Sequence, residues 1–321
     1  MLYTVALCAC GASGSAQSDG ATGDGATGDQ VVTYVDAPPE PDARTSLSNT
    51  FRFAIVGDTR PANEDDYTHY PTAVITKIWD DVQALSPAAD FGISTGDYQF
   101  SNPFTSGSGS TVTKQFDIYL AARAHFTKAV YAALGNHECT GATASNCGPG
   151  NANGVTPNYG QFMSRMVAPL GFTKPYYSIN FHADDMSWTA KIVMIAANAW
   201  DATQATWLAQ QLAVPTTYTF VVRHEDKTAT TAPGVSPSET IIVAHPFTLK
   251  IVGHTHTYAH YAAEKEVVCG NGGAPLTSGI NYGYAVIERL ATGILQFTEY
   301  DYMTNAVISQ FRIRADGTSA P

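Results

Sequence analysis

The chain has 321 residues, 44% of them hydrophobic and only 14% charged, with a formal net charge of −11. That apolar content suffices for one large core or two smaller ones. The acid excess excludes a surface that grips nucleic-acid backbone, and any anionic substrate must be drawn in by cations held locally.

Residues 1–10 are apolar, and Leu7-Cys8-Ala9-Cys10 is similar to a lipoprotein processing box with Cys10 as the lipid-bearing residue. No Lys or Arg precedes Arg44, so the basic flank of a signal is missing, and a plain secretory leader is the other reading. Both predict a secreted or cell-envelope protein of bacterial type. Membrane contact is expected only through such an anchor, since no stretch is long and apolar enough to span a bilayer. Residues 11–48 are rich in Gly, Ala, Ser, Thr and Asp, with Gly20-Ala21-Thr22-Gly23-Asp24 echoed by Gly25-Ala26-Thr27-Gly28-Asp29. Such a stretch buries too little apolar surface to offset its ordering entropy and predicts a flexible tether. One folded domain over 49–314 and a tail over 315–321 complete the expected organisation.

The domain begins with the strand-like run Phe53-Ala54-Ile55-Val56, which ends in Gly57-Asp58-Thr59-Arg60. Val74, Ile75, Ile78, Trp79, Val82 and Leu85 then recur at helical spacing behind Pro71. Phe91-Gly92-Ile93-Ser94 runs into Thr95-Gly96-Asp97, and a helix over 113–125 leads to the apolar run 130–134 and Gly135-Asn136-His137-Glu138. Cys139 and Cys147 flank a loop of small residues, and a disulfide between them would be worth about 2–3 kcal/mol. A helix over 159–170, strands over 176–181 and 191–197, and a helix over 203–212 follow. Phe220-Val221-Val222-Arg223 delivers His224, and Ser236-Pro237-Ser238-Glu239 predicts a capping box. Leu249-Lys250-Ile251-Val252 delivers Gly253-His254-Thr255-His256, and the last third is dense in strands. Early βαβ alternation and late hairpins predict an α/β fold of two packed mixed β-sheets flanked by helices.

Five runs thus carry Asp, Asn or His at the same end, where open α/β sheets place their ligands. The ordered set Asp58, Asp97, Asn136-His137-Glu138, His224 and His254-Thr255-His256 resembles the calcineurin-like metallophosphoesterase superfamily, in its purple acid phosphatase-like branch, over residues 51–313. The resemblance implies a four-layer βαβ sandwich and a hydrolase of small phosphate esters. Its two metal ions would be iron, zinc or manganese, with a metal-bridging hydroxide attacking phosphorus in line. Residue by residue it implies Asp97 as the bridge, Asp58 and His256 on the first metal, and Asn136, His224 and His254 on the second. His137 would contact phosphate and protonate the leaving oxygen, or else orient a ligand. Phosphodiesterase or nucleotidase activity at the same centre, and a non-catalytic metal-binding surface protein, are the other readings.

Two residues depart from the family pattern. Arg60 replaces the histidine of the first Asp-x-His motif, and a guanidinium cannot ligate a metal. The first site is therefore expected to be weak and exchangeable, with Arg60 clamping substrate phosphate or paired to Glu64 or Asp65. Phe100 stands where the branch carries a tyrosine ligand, so no tyrosinate–iron chromophore is expected. His69, His125, His182, His245 and His260 take structural readings.

Overall fold

The computed structural model describes residues 45–47, 50–104, 108–229, 232–277 and 279–321. Cys10, the leader and most of the expected tether lie outside the described residues. Among those described, no helix is long and apolar enough to cross a membrane.

Two mixed sheets face each other. The first runs β1 (Thr45–Leu47), β5 (Tyr177–Ala183), β6 (Thr189–Ile195), β7 (Tyr218–Arg223), β8 (Leu249–Val252), β10 (Glu266–Cys269), β9 (Tyr258–Tyr261). The second runs β13 (Val307–Ile313), β12 (Leu295–Asp301), β11 (Gly283–Arg289), β2 (Arg52–Ile55), β3 (Phe91–Ser94), β4 (Val130–Ala132). Strands β2, β3 and β4 are parallel, as are β6, β7 and β8.

Aromatic rings fill the space between the sheets. Phe91 of β3 stacks on Phe181 of β5 at 4.6 Å, and Phe53 of β2 meets Phe220 of β7 edge-on at 5.2 Å. Each ring contributes apolar area plus a geometric preference of about 0.5–1.5 kcal/mol per pair. Helix α1 (Thr72–Gln83) buries Ile75, Ile78, Trp79 and Val82, the stripe expected from its spacing. Helix α2 (Ser108–Arg123) precedes β4, and α3 (Pro157–Phe162) starts at the N-cap Thr156, whose hydroxyl accepts from Tyr159 N. Helix α4 (Ala202–Ala213) is capped by Asp201 accepting from Gln204 N at 2.7 Å.

Several elements differ from the sequence reading. Thr45–Leu47, inside the expected tether, pairs in parallel with β5. The expected tail folds back, with Ala320 N donating to Arg312 O at 2.9 Å. The helix expected over 159–170 changes pitch after Phe162 into a π-helical stretch, Met163–Val167, and a 3-10 turn, Ala168–Leu170. The capping box is not formed: α5 (Val235–Val243) begins behind Gly234 with no side-chain cap. Glu239 is drawn away by two buried cations, Arg223 at 3.3 Å and Lys250. A charge-assisted pair outweighs a neutral cap. The Cys139–Cys147 disulfide is present, with Cα atoms 5.6 Å apart, and Cys269 is a free, buried strand residue.

Candidate metal centre

Three motif turns leave the second sheet and two leave the first, all from carboxyl ends of parallel strands. Facing the two sheets brings those ends together. Asp58 follows β2, Asp97 follows β3, Asn136 follows β4, His224 follows β7, and His254 and His256 follow β8.

Asp58, Asp97, His254 and His256 all have left-handed backbone, with φ of 56°, 58°, 71° and 48°. Non-glycine residues there cost about 1–3 kcal/mol each and persist where the surroundings require a particular side-chain direction. His254 N donates to both oxygens of Asp58, at 3.1 and 3.0 Å, locking the first turn to the last.

Hydrogen bonds at the back of three ligands decide which atom faces inward. His224 Nδ1 lies 2.8 Å from Thr95 O; a carbonyl only accepts, so Nδ1 carries a proton and Nε2 is the nitrogen that faces inward. His256 Nδ1 is held the same way by Pro275 O at 2.8 Å, leaving Nε2 bare at 3.7 Å from Asp58 Oδ1. Asn136 Nδ2 donates to Gly141 O at 2.8 Å, which turns Oδ1 toward the imidazoles. His224 Nε2 is then 3.1 Å from Asn136 Oδ1, 3.2 Å from His254 Nδ1 and 3.2 Å from Asp97 Oδ1. Four potential ligating atoms converge, a donor set that suits a cation once His224 Nε2 gives up its proton.

Two donor groups emerge, Asp97–His224–His254 with Asn136 beside it, and Asp58–Asp97–His256. The six predicted ligands are therefore brought together, and residues of this chain fit a metal in each group. Burial pushes the Asp58 carboxyl well up, with His224 opposing and neighbouring Asp97 adding to it. Burial opposes charge on His224 also, yet Asp97 and Asp58 hold its imidazole well above the usual range. Two buried carboxylates side by side are stable only with a compensating cation.

Glu138 ties the turns together. Its carboxylate accepts from Asp97 N at 2.8 Å, Tyr98 N at 2.8 Å and Gly135 N at 3.0 Å. Burial, then Asp97, pushes it up to about 8 against those amides. His137 Nε2 lies 3.8 Å from Asp97 Oδ2, and burial lowers its imidazole to about 3, with Asp97 opposing and Arg60 assisting.

Arg60 is not paired with Glu64 or Asp65. Its Nε lies 3.7 Å from Asp97 Oδ2, and its guanidinium covers the Phe100 ring at 4.7 Å. Asp65 instead accepts from Asn102 N, because its carboxylate caps that loop. Phe100 also meets the His137 ring edge-on at 4.5 Å. The remaining histidines have local partners: His69 has Asp66, His125 has Asp80, His182 has Ala183 O, His245 has Ile241 O and His260 stacks on Phe311.

Sequence reasoning missed the orienting carbonyls of Thr95, Gly141 and Pro275, since a backbone carbonyl leaves no residue signature. The turn Gly270-Asn271-Gly272-Gly273 also braces the centre, with Gly272 N donating to Gly57 O and Ala274 N to Asp58 O. Asn271 Nδ2 in turn donates to buried Glu299 Oε1 at 2.9 Å, and burial raises that carboxyl from 4.5 to about 8. An acid with a raised folded value holds its proton more tightly when folded, so its contribution declines as pH climbs from 4.5 toward 8. Melting curves of Glu299→Gln against wild type should therefore favour the variant by a few degrees more at about pH 9 than at about pH 5. A pH-independent difference counts against this assignment.

No protein-family model and no curated protein matches the sequence. Solved structures do match. Purple acid phosphatase PPD1 from yellow lupin (Lupinus luteus) seeds superposes with a TM-score of 0.59 at 18% identity, over 85% of this chain and 55% of that one. This chain thus spans little more than half the length of the lupin protein. GAP50, the anchor in the inner membrane complex of Plasmodium, gives 0.55 at 13% identity over 84% and 90%. A dimetal phosphatase from Danio rerio gives 0.55 at 11% over 83% and 99%. The chain has the calcineurin-like metallophosphoesterase fold.

Proposed function

We propose that the protein is a metal-dependent phosphoric ester hydrolase acting on small phosphomonoesters. The observation that carries this reading is the convergence of Asp97 Oδ1, Asn136 Oδ1, His224 Nε2 and the His254 ring at the mouth of facing sheets. Those four residues would hold the firmer ion, and Asp58, Asp97 and His256 would offer a weaker site. Bound metal supplies the Lewis acid that polarises the phosphoryl group and activates water.

This chain's own residues do the rest. Arg60 Nε has no hydrogen-bond acceptor, while Nη1 is anchored on Pro61 O at 3.0 Å. The guanidinium is thereby placed to take phosphate oxygens in a two-pronged grip. Burial disfavours charge on His137; an arriving phosphate dianion raises its proton affinity, so that it takes a proton from solvent and passes it to the leaving oxygen. The small-residue Cys139–Cys147 loop, closed by its disulfide, borders the centre, and that disulfide supports the secreted or envelope location read from residues 1–10. Lipidation of Cys10 belongs to the same reading.

The test is hydrolysis of a generic phosphomonoester and a phosphodiester by the full chain, after chelation and after adding back manganese, zinc or iron. Metal-restored turnover, faster on the monoester, is expected. Faster diester cleavage moves the assignment to a phosphodiesterase or nucleotidase. Metal bound without turnover on either substrate supports a second reading, a non-catalytic metal-binding protein. Arg60 at the centre and the likeness to the Plasmodium anchor protein favour that second reading.

A further inference from the structure

The two donor groups are not equivalent. One offers four donors and the other three, and the two share Asp97. Asp97 Oδ1 faces His224 at 3.2 Å, so the oxygen left for the three-donor group is Oδ2. That oxygen is the one Arg60 faces at 3.7 Å. The guanidinium is fixed there: it lies on the Phe100 face at 4.7 Å, is tethered to Pro61 O, and its side chain is only 15% exposed. A guanidinium carries a fixed positive charge.

We infer that Arg60 serves as the second cation of the centre, so that the resting protein carries a single metal, in the Asp97–Asn136–His224–His254 group. This rests on the metal-dependent reading above and explains why its first site is weak. One divalent ion and a guanidinium already offset the charge of the buried carboxylates Asp58 and Asp97, even with Glu138 behind them. A second divalent ion would sit against a fixed positive charge in a medium that screens poorly. Phe100 is the positioning residue that keeps the guanidinium in place.

The experiment is a manganese titration of the full chain, read by elemental analysis and by electron paramagnetic resonance. Wild type is expected to hold about one equivalent with the spectrum of an isolated ion. Arg60→His and Arg60→Gln should each hold about two, His with the spectrum of a coupled pair, while Arg60→Lys should stay near one because it keeps the charge. Two tightly held equivalents in wild type overturn the inference. So does a count near one in both neutral variants, or near two in Arg60→Lys. Hydrolysis measured on the same wild-type samples tests the phosphoesterase reading separately, since the metal count does not depend on turnover.

Discussion

On the proposed reading, Asp97→Asn is expected to lower phosphoester hydrolysis by about a thousandfold or more and to prevent metal binding in the Asp97–Asn136–His224–His254 group. Every donor group passes through this carboxylate. Oδ1 sits 3.2 Å from His224 Nε2 and accepts from His137 N at 3.2 Å, while Oδ2 faces Arg60 and His137. His224, then His137, holds the Asp97 carboxyl well below its usual range against burial. An amide keeps the shape and one acceptor oxygen but removes the charge that His224, Arg60 and a cation all compensate. Leaving opposite charges unpaired in a buried site costs about 3–5 kcal/mol, so loss of metal is expected even where the chain stays folded. Steady-state rates and metal content of the purified variant check this. Activity within tenfold of wild type, with metal retained, would remove Asp97 from the centre of the assignment.

Gly135→Ala is the second large effect, and its cause is space. An added Cβ would lie 2.2 Å from Asp97 Oδ1, 2.6 Å from Asp97 N and 2.8 Å from Glu138 Oε2. The last two belong to the clamp in which Glu138 accepts from the amides of Asp97, Tyr98 and Gly135, and the first is the oxygen that faces His224. The methyl group therefore pushes apart the two turns that must approach for Asp97 and Asn136 to share a ligand set. Overpacking of this kind costs about 1–3 kcal/mol or more, several degrees of melting temperature in a domain of this size. Metal affinity should fall with it. Gly160→Ala is the control: it lies in α3 with nothing within 4 Å of the new methyl. Alanine there should be neutral or favourable by about 0.5–1 kcal/mol. Equal melting temperatures for Gly135→Ala and wild type would show that the clamp yields without cost.

Much of this was legible in order along the chain. Short apolar runs ending in Gly-Asp, Gly-Asn-His-Glu and Gly-His-Thr-His state both the strand and the place where it stops, because a polar ligand cannot continue into a core. The α1 stripe of Ile75, Ile78, Trp79 and Val82 was equally plain, since helical periodicity is a local property. The capping box failed for a non-local reason. Glu239 is four residues from Val235 in sequence but packs against Arg223 and Lys250 from neighbouring strands, and those charges outcompete the helix end. Strand Tyr258–Tyr261 was invisible for a related one: its pattern is half-exposed throughout, and only pairing with β10 makes it a strand.

The sequence by itself pointed to the candidate ligands and to their places at the ends of five strand-like runs, because residue type and hydrophobic run length are written locally. It also placed Arg60 and Phe100 as departures from the family pattern. Only the tertiary structure decided how these residues act. Asp58, Asp97 and Asn136 come from one sheet, His224, His254 and His256 from the other, and nothing local brings the two sheets together. The inward nitrogens of His224 and His256 were chosen by the carbonyls of Thr95 and Pro275, the first of them 129 residues away in sequence. Arg60 was turned from Glu64 and Asp65 toward Asp97 by the Phe100 ring beneath it. Orientation of a ligand is set by what stands behind it, and that neighbour exists only once the sheets have packed.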